Sequence, residues 1–291
     1  MTNNLLWSPV NNNNFLTKFF NYLKNRNYFD GNDYNSLHDW SIKNKRYFWS
    51  EIWNFTSIIG EYNEPIIENE NDFIKSVFFK NAKLNFTHNL IQKKDTSDAL
   101  VFYSEQGFNR RISWKELDKQ VSKIACYFKK QKIKKGDRIA AILPNIPETV
   151  ISFLGAAKIG AIWSSCSADF GPKGVIDRFK QIDPKILLIS DYYYYNNKKI
   201  NTLDKIEEIK NKIPGLNQII IIPYKNKIIN YEVNFEYINW IKIMENSSLF
   251  QINENFEFNI PLYILYSSGT TGEPKCIVHG AGGSLIQHKK E

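Results

Sequence analysis

A run of hydroxylated residues and glycines carries the clearest chemical signal in this sequence. Six such residues follow one another and a lysine comes three positions later: Ser267, Ser268, Gly269, Thr270, Thr271, Gly272 and Lys275. Glycines let backbone N–H groups approach an anion closely, hydroxyl groups add neutral donors, and a lysine adds a point charge suited to phosphate. We therefore interpret the run as a nucleotide-phosphate loop, although it lacks the G-x-x-x-x-G-K-[ST] spacing of a Walker A loop.

On composition alone, the same run fits a flexible surface turn as well as it fits a phosphate loop, because glycine, serine and threonine are typical of turns. The residues in front of it favour the loop. The apolar stretch Leu262–Tyr266 predicts a strand that ends where the run begins. In open α/β sheets, ligands bind at the carboxyl ends of strands.

Strands and helices are predicted to alternate along the chain from Asp98 onward. The predicted strands are Ala99–Ser104, Arg111–Ser113, Arg138–Leu143, Ala161–Ser164, Lys185–Ser190 and Gln218–Ile222. Helical patterns lie between them, and Ser113 with Glu116 three residues later is a capping-box signature. Such alternation predicts an α/β fold with an open, mainly parallel sheet and helices on both faces.

The residues before this region predict an α-helical cap. Phe15, Leu16, Phe19, Phe20 and Leu23 recur at helical spacing and predict a helix that ends near Asn25. A second segment, Asp33–Tyr62, is rich in aromatic residues that we expect to pack as a core. Between the cap and the sheet, Glu64–Asn71 is predicted to be an irregular loop.

Composition narrows the class of protein. The 291 residues are 43% hydrophobic, so the chain can bury a sizeable core. The three cysteines form no C-x-x-C pair, and the four histidines show no metal-ligand spacing, so we predict no metal site. Cysteines so far apart suit a reducing compartment, and we expect a cytoplasmic protein.

Charge and hydropathy argue against two further classes. The net charge is +8, but the lysines are spread along the chain, so we predict no nucleic-acid partner. The most apolar segment, Val150–Cys166, is interrupted by Lys158 and two glycines. We interpret it as a buried helix followed by a buried strand, and we predict no membrane association.

Three stretches carry a resemblance to a known family. The phosphate loop reads YSSGTTGEPK, which resembles the signature of the adenylate-forming superfamily. The N-terminal segment LHDWSIKNKRYFWSEIWNF resembles the cap region of acetyl- and acetoacetyl-CoA synthetases. The combination of CSADFG, GVIDRF and QIDPKILL resembles acetoacetyl-CoA synthetases, the acetoacetate–CoA ligases. Within it, Asp169, Asp177 and Arg178 are interpreted as surface pairing residues without a catalytic role.

The resemblance implies a two-step ligation that uses ATP, Mg²⁺ and CoA. Acetoacetate would attack the α-phosphate of ATP, and CoA would then displace AMP to form the thioester. Ser267–Gly272 and Lys275 would hold the outer phosphates, and Lys275 would support departure of pyrophosphate. The expected partners are acetoacetate, ATP and CoA, and the sequence does not indicate an oligomeric state. Residues 1–91 would form the cap, and residues 92–291 the first part of an AMP-binding domain.

A further segment, DYYYYNNKKI, stands where these synthetases carry arginine and glycine near CoA. Tyr194 takes the place of the expected arginine, and Lys198 and Lys199 follow. The resemblance implies that these three residues contact CoA. Lysine does not replace a bidentate arginine, and an exposed loop with surface tyrosines is an equal alternative.

Members of this family are longer than 291 residues, so we expect a truncated synthetase without a complete catalytic set. The acid pocket of the family lies largely downstream of Glu291. An acetyl- or other short-chain acyl-CoA synthetase fragment therefore remains an alternative to an acetoacetate-specific one. A non-catalytic nucleotide-binding remnant is an alternative from another class.

Overall fold

Alternating strands and helices make up most of the chain after Asp98, as the sequence pattern predicts. The structure is a computed structural model that describes residues 13–247, 249–267 and 272–291. It divides into two compact units. One contains the described residues up to Ile58 together with Tyr62–Asn81 and Ile286–Glu291, and the other contains Ile59–Glu61 and Ala82–Leu285. The predicted boundary at residue 91 stays a prediction.

In the described part of the chain, the helices are α1 Phe15–Asn25, α2 Tyr34–Lys43, α3 Lys45–Phe55, α4 Phe86–Leu90, α5 Trp114–Lys130, α6 Pro147–Lys158, α7 Pro172–Phe179, α8 Ile206–Lys212, α9 Trp240–Asn246 and α10 Ala281–Lys290. A 3-10 turn, Leu203–Lys205, precedes α8. The strands that precede the main sheet in the chain are β1 Gly60–Glu61, β2 Ile67–Glu68, β3 Val77–Phe78, β4 Lys83–Leu84, β5 Asp98–Tyr103 and β6 Asn109–Ser113. The remaining strands are β7 Arg138–Ile142, β8 Ile162–Cys166, β9 Ile186–Ser190, β10 Tyr192–Tyr195, β11 Lys198–Asn201, β12 Gln218–Ile222, β13 Ile238–Asn239, β14 Phe256–Glu257, β15 Pro261–Ser267 and β16 Lys275–Gly280.

The first unit is built from the predicted N-terminal helices. Asn14 caps α1 by accepting the Thr17 backbone N–H at 2.8 Å, and Asp33 caps α2 by accepting that of Ser36 at 2.7 Å. Aromatic rings fill the space between α1 and α3, as expected. The Phe19 ring, for example, lies 5.0 Å from the ring of Phe55.

One prediction for this unit is wrong in detail. Glu64–Asn71 is not irregular throughout, because β2 lies within it and pairs antiparallel with β3. The Ile67 side chain is buried, and its burial favours this short pairing. The sequence did not predict the strand because most of the residues around Ile67 are polar or charged.

The second unit contains a seven-stranded sheet in the order β13-β12-β9-β7-β8-β15-β16. The first six strands are parallel to their neighbours, and β16 runs antiparallel to β15. The predicted fold class is therefore confirmed. The apolar segment Val150–Cys166 is a buried helix end followed by β8, also as predicted.

The central strands are apolar on both faces because helices cover both faces. Ala140 and Ile142 of β7 pack in one cluster with residues of α7 and α8. Their neighbours Ile139 and Ala141 point to the opposite face and are also fully buried. Among the described residues, no helix combines the length and apolar character needed to cross a membrane.

Candidate nucleotide-phosphate site

The predicted loop begins and ends on two paired strands. Ser267, the last residue of β15, lies opposite Lys275, the first residue of β16, in the antiparallel ladder. Because β15 runs parallel to β8, the loop leaves the sheet at its carboxyl edge. Ser268, Gly269, Thr270 and Thr271 lie outside the described residues. Ser267, Gly272 and Lys275 are therefore the predicted loop residues that the structure brings together.

The exit of the loop needs a glycine. Gly272 has φ +104°, a backbone conformation that residues with a side chain rarely adopt. After it, the Glu273 carboxylate lies 3.3 Å from the Lys180 ammonium, and the Pro274 carbonyl accepts the Gln181 amide at 2.9 Å. The end of α7 thus holds the segment that leads to Lys275. The Lys275 side chain itself is exposed, so its ammonium is accessible to an anion.

The entrance of the loop is held by Tyr266. Its hydroxyl accepts a hydrogen bond from Ser164 Oγ at 3.1 Å and lies 3.4 Å from the carbonyl oxygen of Arg178. Burial raises the pKa of the Tyr266 hydroxyl, so this side chain stays neutral and remains a donor. The residue before Ser267 is therefore tied both to β8 and to α7.

A cation–π arrangement strengthens the same connection. The Arg178 guanidinium lies 4.5 Å from the centre of the Phe170 ring and 5.7 Å from that of Tyr266. The Lys205 ammonium donates to the carbonyls of Ala168 at 2.7 Å and Phe170 at 2.9 Å, which holds the turn that carries Phe170. Arg178 is half-buried and packs on Tyr266. The sequence interpretation of Arg178 as a surface pairing residue did not include this contact.

Asp177, in contrast, pairs on the helix surface as expected, with its carboxylate 3.7 Å from the Lys180 ammonium. Sequence reasoning missed Tyr266, Arg178 and Gln181 as residues that position the loop. One feature of the sequence could have indicated this role for Tyr266, namely its position at the end of an apolar strand. A tyrosine hydroxyl that is buried there needs a hydrogen-bond partner nearby.

The segment predicted to contact CoA is a β-hairpin. Tyr194 lies opposite Lys199, and Tyr195 opposite Lys198, in the ladder of β10 and β11. Asn196 and Asn197 form the turn with φ +49° and +61°, the conformation that two-residue hairpins require and asparagine tolerates. The segment is therefore an ordered hairpin with an exposed turn and not an irregular loop, and its contact with CoA stays a prediction.

The side chains of this hairpin form an aromatic cluster. The Tyr194 ring lies 5.7 Å from the rings of both Tyr192 and Tyr224. The Lys199 ammonium lies 4.1 Å from the centre of the Tyr192 ring, and both Lys198 and Lys199 are exposed. The hairpin follows β9, which β7 and β8 separate from β15, so it is distinct from the phosphate loop.

Asp191 anchors this hairpin. Its buried carboxylate accepts the backbone N–H groups of Tyr192 at 2.9 Å and Tyr224 at 2.8 Å and the hydroxyl of Tyr231 at 3.0 Å. Burial raises the pKa of this carboxyl group, and the three donors oppose that shift. The carboxylate is thus occupied by structural hydrogen bonds. Among the described residues, no group of three or more His, Cys, Asp or Glu is placed to hold a metal ion.

Comparisons with known proteins agree with this geometry. The acetoacetyl-coenzyme A synthetase of Rhizobium meliloti (strain 1021) is 40% identical over 263 residues, which are 89% of this chain and 40% of that protein. The acetoacetyl-CoA synthetase of Xenopus tropicalis is 38% identical over the same shares of the two chains. The solved acetoacetyl-CoA synthetase of Streptomyces lividans superposes with a TM-score of 0.85 at 29% identity, over 94% of this chain and 42% of that one.

The resemblance to acetoacetyl-CoA synthetases predicted from the sequence is therefore confirmed, and the chain spans about 40% of the length of these curated relatives. A family model described as AMP-binding enzyme matches residues 88–289, which include the whole phosphate loop. The chain belongs to the AMP-binding enzyme family.

Proposed function

We propose that this chain supplies the ATP phosphate site of an acetoacetate–CoA ligase. The observation that supports the proposal most directly is the pairing of Ser267 with Lys275, which places an exposed ammonium three residues after Gly272 at the carboxyl edge of a parallel sheet. The choice of acetoacetate as the acid and CoA as the thiol follows the names of the similar proteins, which are acetoacetyl-CoA synthetases. In this proposal residues 1–91 are the cap and residues 92–291 the first part of the AMP-binding domain.

The proposed reaction has two steps. A carboxylate oxygen of acetoacetate attacks the α-phosphorus of ATP, and the bond from that phosphorus to the bridging oxygen of the β-phosphate breaks. Negative charge then grows on the departing pyrophosphate, where Ser267–Gly272 and Lys275 would bind it. Their contribution is electrostatic and needs no covalent intermediate with the protein. In the second step the CoA sulfur attacks the acyl carbon and AMP leaves.

Mg²⁺ would enter this reaction with ATP, as part of the substrate. Its charge would offset that of the phosphates while Lys275 binds them from the protein side. The expected cytoplasmic location and the restriction to small-molecule partners stay predictions.

The β10–β11 hairpin is proposed as the CoA contact. Lys198 is exposed and free to meet an anionic group, and the tyrosine cluster offers an aromatic surface to a base. Lys198→Ala should raise the KM for CoA several-fold and leave acetoacetate-dependent exchange of pyrophosphate into ATP unchanged. That exchange reports only the first step, so a loss of exchange in this variant would contradict the assignment.

A chimera tests the proposed function. This chain would replace the matching 40% of the Rhizobium meliloti relative, and exchange of labelled pyrophosphate into ATP would be measured with acetoacetate, acetate and 3-hydroxybutyrate. We expect the chimera to exchange pyrophosphate with acetoacetate, because this chain would supply the phosphate site, while the preference among the three acids would come largely from the downstream part of the relative. A folded chimera that binds ATP without any exchange would refute the proposed phosphate site and favour a non-catalytic module.

A further inference from the structure

A second cleft lies at the opposite edge of the main sheet from the phosphate loop. It has a volume of about 520 Å³ and lies between α4, α5, the end of α6 and the segment 250–253. Lys158 closes α6 just before β8 begins, whereas the phosphate loop leaves the carboxyl end of the parallel strand β15. The cleft is therefore at the amino edge of the sheet, opposite to the nucleotide site.

The walls of this cleft are held by buried polar contacts. Asn85, which is 1% exposed, donates to the carbonyls of Lys158 at 3.0 Å and Glu254 at 2.8 Å. His88 Nε2 lies 3.1 Å from the carbonyl oxygen of Ile252, and this contact requires the proton on Nε2. These bonds join α4, the end of α6 and the segment 252–254, so the cleft is preformed.

Lys158 brings a buried charge to this cleft. The residue is 8% exposed, and its ammonium has one hydrogen-bond partner among the described residues, Ser122 Oγ at 3.2 Å. An ammonium has three donors, and a buried cation without a paired anion is costly. No carboxylate of the described residues lies within 4.0 Å of it. Burial lowers the pKa of the Lys158 amine, as expected for a cation that lacks an ion pair.

The other charges that line the cleft balance each other. Asp118 is 3.6 Å from the ammonium of Lys94, so this pair is neutral as a unit. Burial and the charge of Lys158 lower the pKa of His88, which favours the neutral imidazole. One uncompensated positive charge, that of Lys158, is left for a ligand. A monoanion would balance it, whereas a dianion would leave an excess negative charge beside Asp118.

The rest of the lining combines polar residues, Thr87, Gln92, Gln251 and Asn253, with one apolar patch. Ile91 and Ile252 are buried in it, and at its rim Ile59 and Phe250 are 52% and 42% exposed. A ligand with an apolar body would cover these side chains while its charged end reached Lys158.

We propose that this cleft binds a small organic carboxylate whose carboxylate group pairs with Lys158 and accepts from Ser122 Oγ, and whose apolar part lies against Ile252 and Phe250. The site is separate from the proposed ATP site and does not depend on it.

Equilibrium dialysis of the whole chain with radiolabelled butyrate tests the proposal. We expect one butyrate per chain, and we expect Lys158→Met to weaken binding by about tenfold or more, because a hydrogen bond to a charged group contributes on that order. Lys158→Arg keeps the charge and should retain most of the affinity. Shortening the probe to acetate should weaken binding by about fourfold per buried methylene lost.

Two variants separate this site from other anion sites. Lys275→Ala should leave butyrate binding unchanged, and Lys212→Met, a change of an exposed lysine on α8, should do the same. Butyrate binding that survives Lys158→Met in a protein with an unchanged circular dichroism spectrum would overturn the proposal. Loss of binding in Lys275→Ala would assign the butyrate to the phosphate loop instead, and tighter binding of inorganic phosphate than of butyrate would also overturn it. If Lys158→Met does not fold, Ser122→Ala, expected to weaken butyrate binding several-fold, provides the same test.

Discussion

Ser267 and Lys275 face each other across the ladder of β15 and β16, although seven residues separate them in sequence. This pairing places the lysine at the start of strand β16. The backbone of Lys275 is therefore fixed by the sheet, and only its side chain must become ordered when an anion binds. Preorganisation of this kind lowers the entropic cost of phosphate binding.

Lys275→Ala tests the role of the ammonium. In the chimera described above, removal of one donor to the developing charge should cost about 2.7–4 kcal/mol, by analogy with donors to oxyanions. The pyrophosphate exchange rate should then fall by about a hundredfold or more. Lys173→Ala, a change of an exposed lysine on α7, is the matched control and should leave exchange unchanged. A fall of less than threefold in Lys275→Ala would remove the lysine from the phosphate site.

Gly272→Ala tests the backbone of the loop. Among the described residues, no atom lies within 4 Å of the position that a Cβ would take, so the expected cost comes from φ +104°. Strain of about 1–3 kcal/mol should weaken ATP binding by roughly 5-fold to 150-fold. Gly171→Ala is the control, because that site is equally open and has φ −67°. Equal ATP affinities for the two variants, measured by equilibrium dialysis, would argue against a fixed loop backbone.

Arg178→Ala tests whether a residue outside the loop positions it. The change removes the guanidinium from between the rings of Phe170 and Tyr266, at a cost of about 0.5–2 kcal/mol. We expect the KM for ATP to rise in the chimera while kcat changes little, since Arg178 acts through Tyr266 and its carbonyl contact. Arg178→Lys should restore part of the affinity. A fall in kcat with an unchanged KM would contradict this positioning role.

His88 predicts a pH dependence of stability. Its pKa in the folded chain lies below the ordinary 6.5, with burial as the largest cause. As pH falls, the unfolded chain binds a proton at this histidine before the folded chain does. The stability from neutral His88 is therefore complete above pH 6.5 and is lost as pH falls through the lower folded pKa. His88→Gln, whose amide can still donate to Ile252, should show a shallower loss of unfolding free energy between pH 6.5 and 5 in urea titrations. Parallel pH profiles for the two proteins would contradict this assignment.

Local patterns in the sequence determined the main elements and the position of the phosphate loop. Apolar runs identified strands such as β12, and a serine three residues before a glutamate identified the start of α5, because periodicity and capping act over a few residues. The order of glycines and hydroxyls before Lys275 identified the loop for the same reason. Residue order also identified the family, since the resemblance lies in contiguous motifs.

Only the tertiary structure decided which residues support these elements. Arg178 packs on Tyr266, and Asn85 joins Lys158 to Glu254. Each of these contacts links residues 73 or more positions apart in the sequence. Such contacts depend on strand order and register, which no short pattern encodes. The exception is instructive. Asn196-Asn197 is a local turn signal, yet the hairpin around it is also held by Asp191, which accepts the Tyr224 backbone N–H at the end of the paired strands β9 and β12.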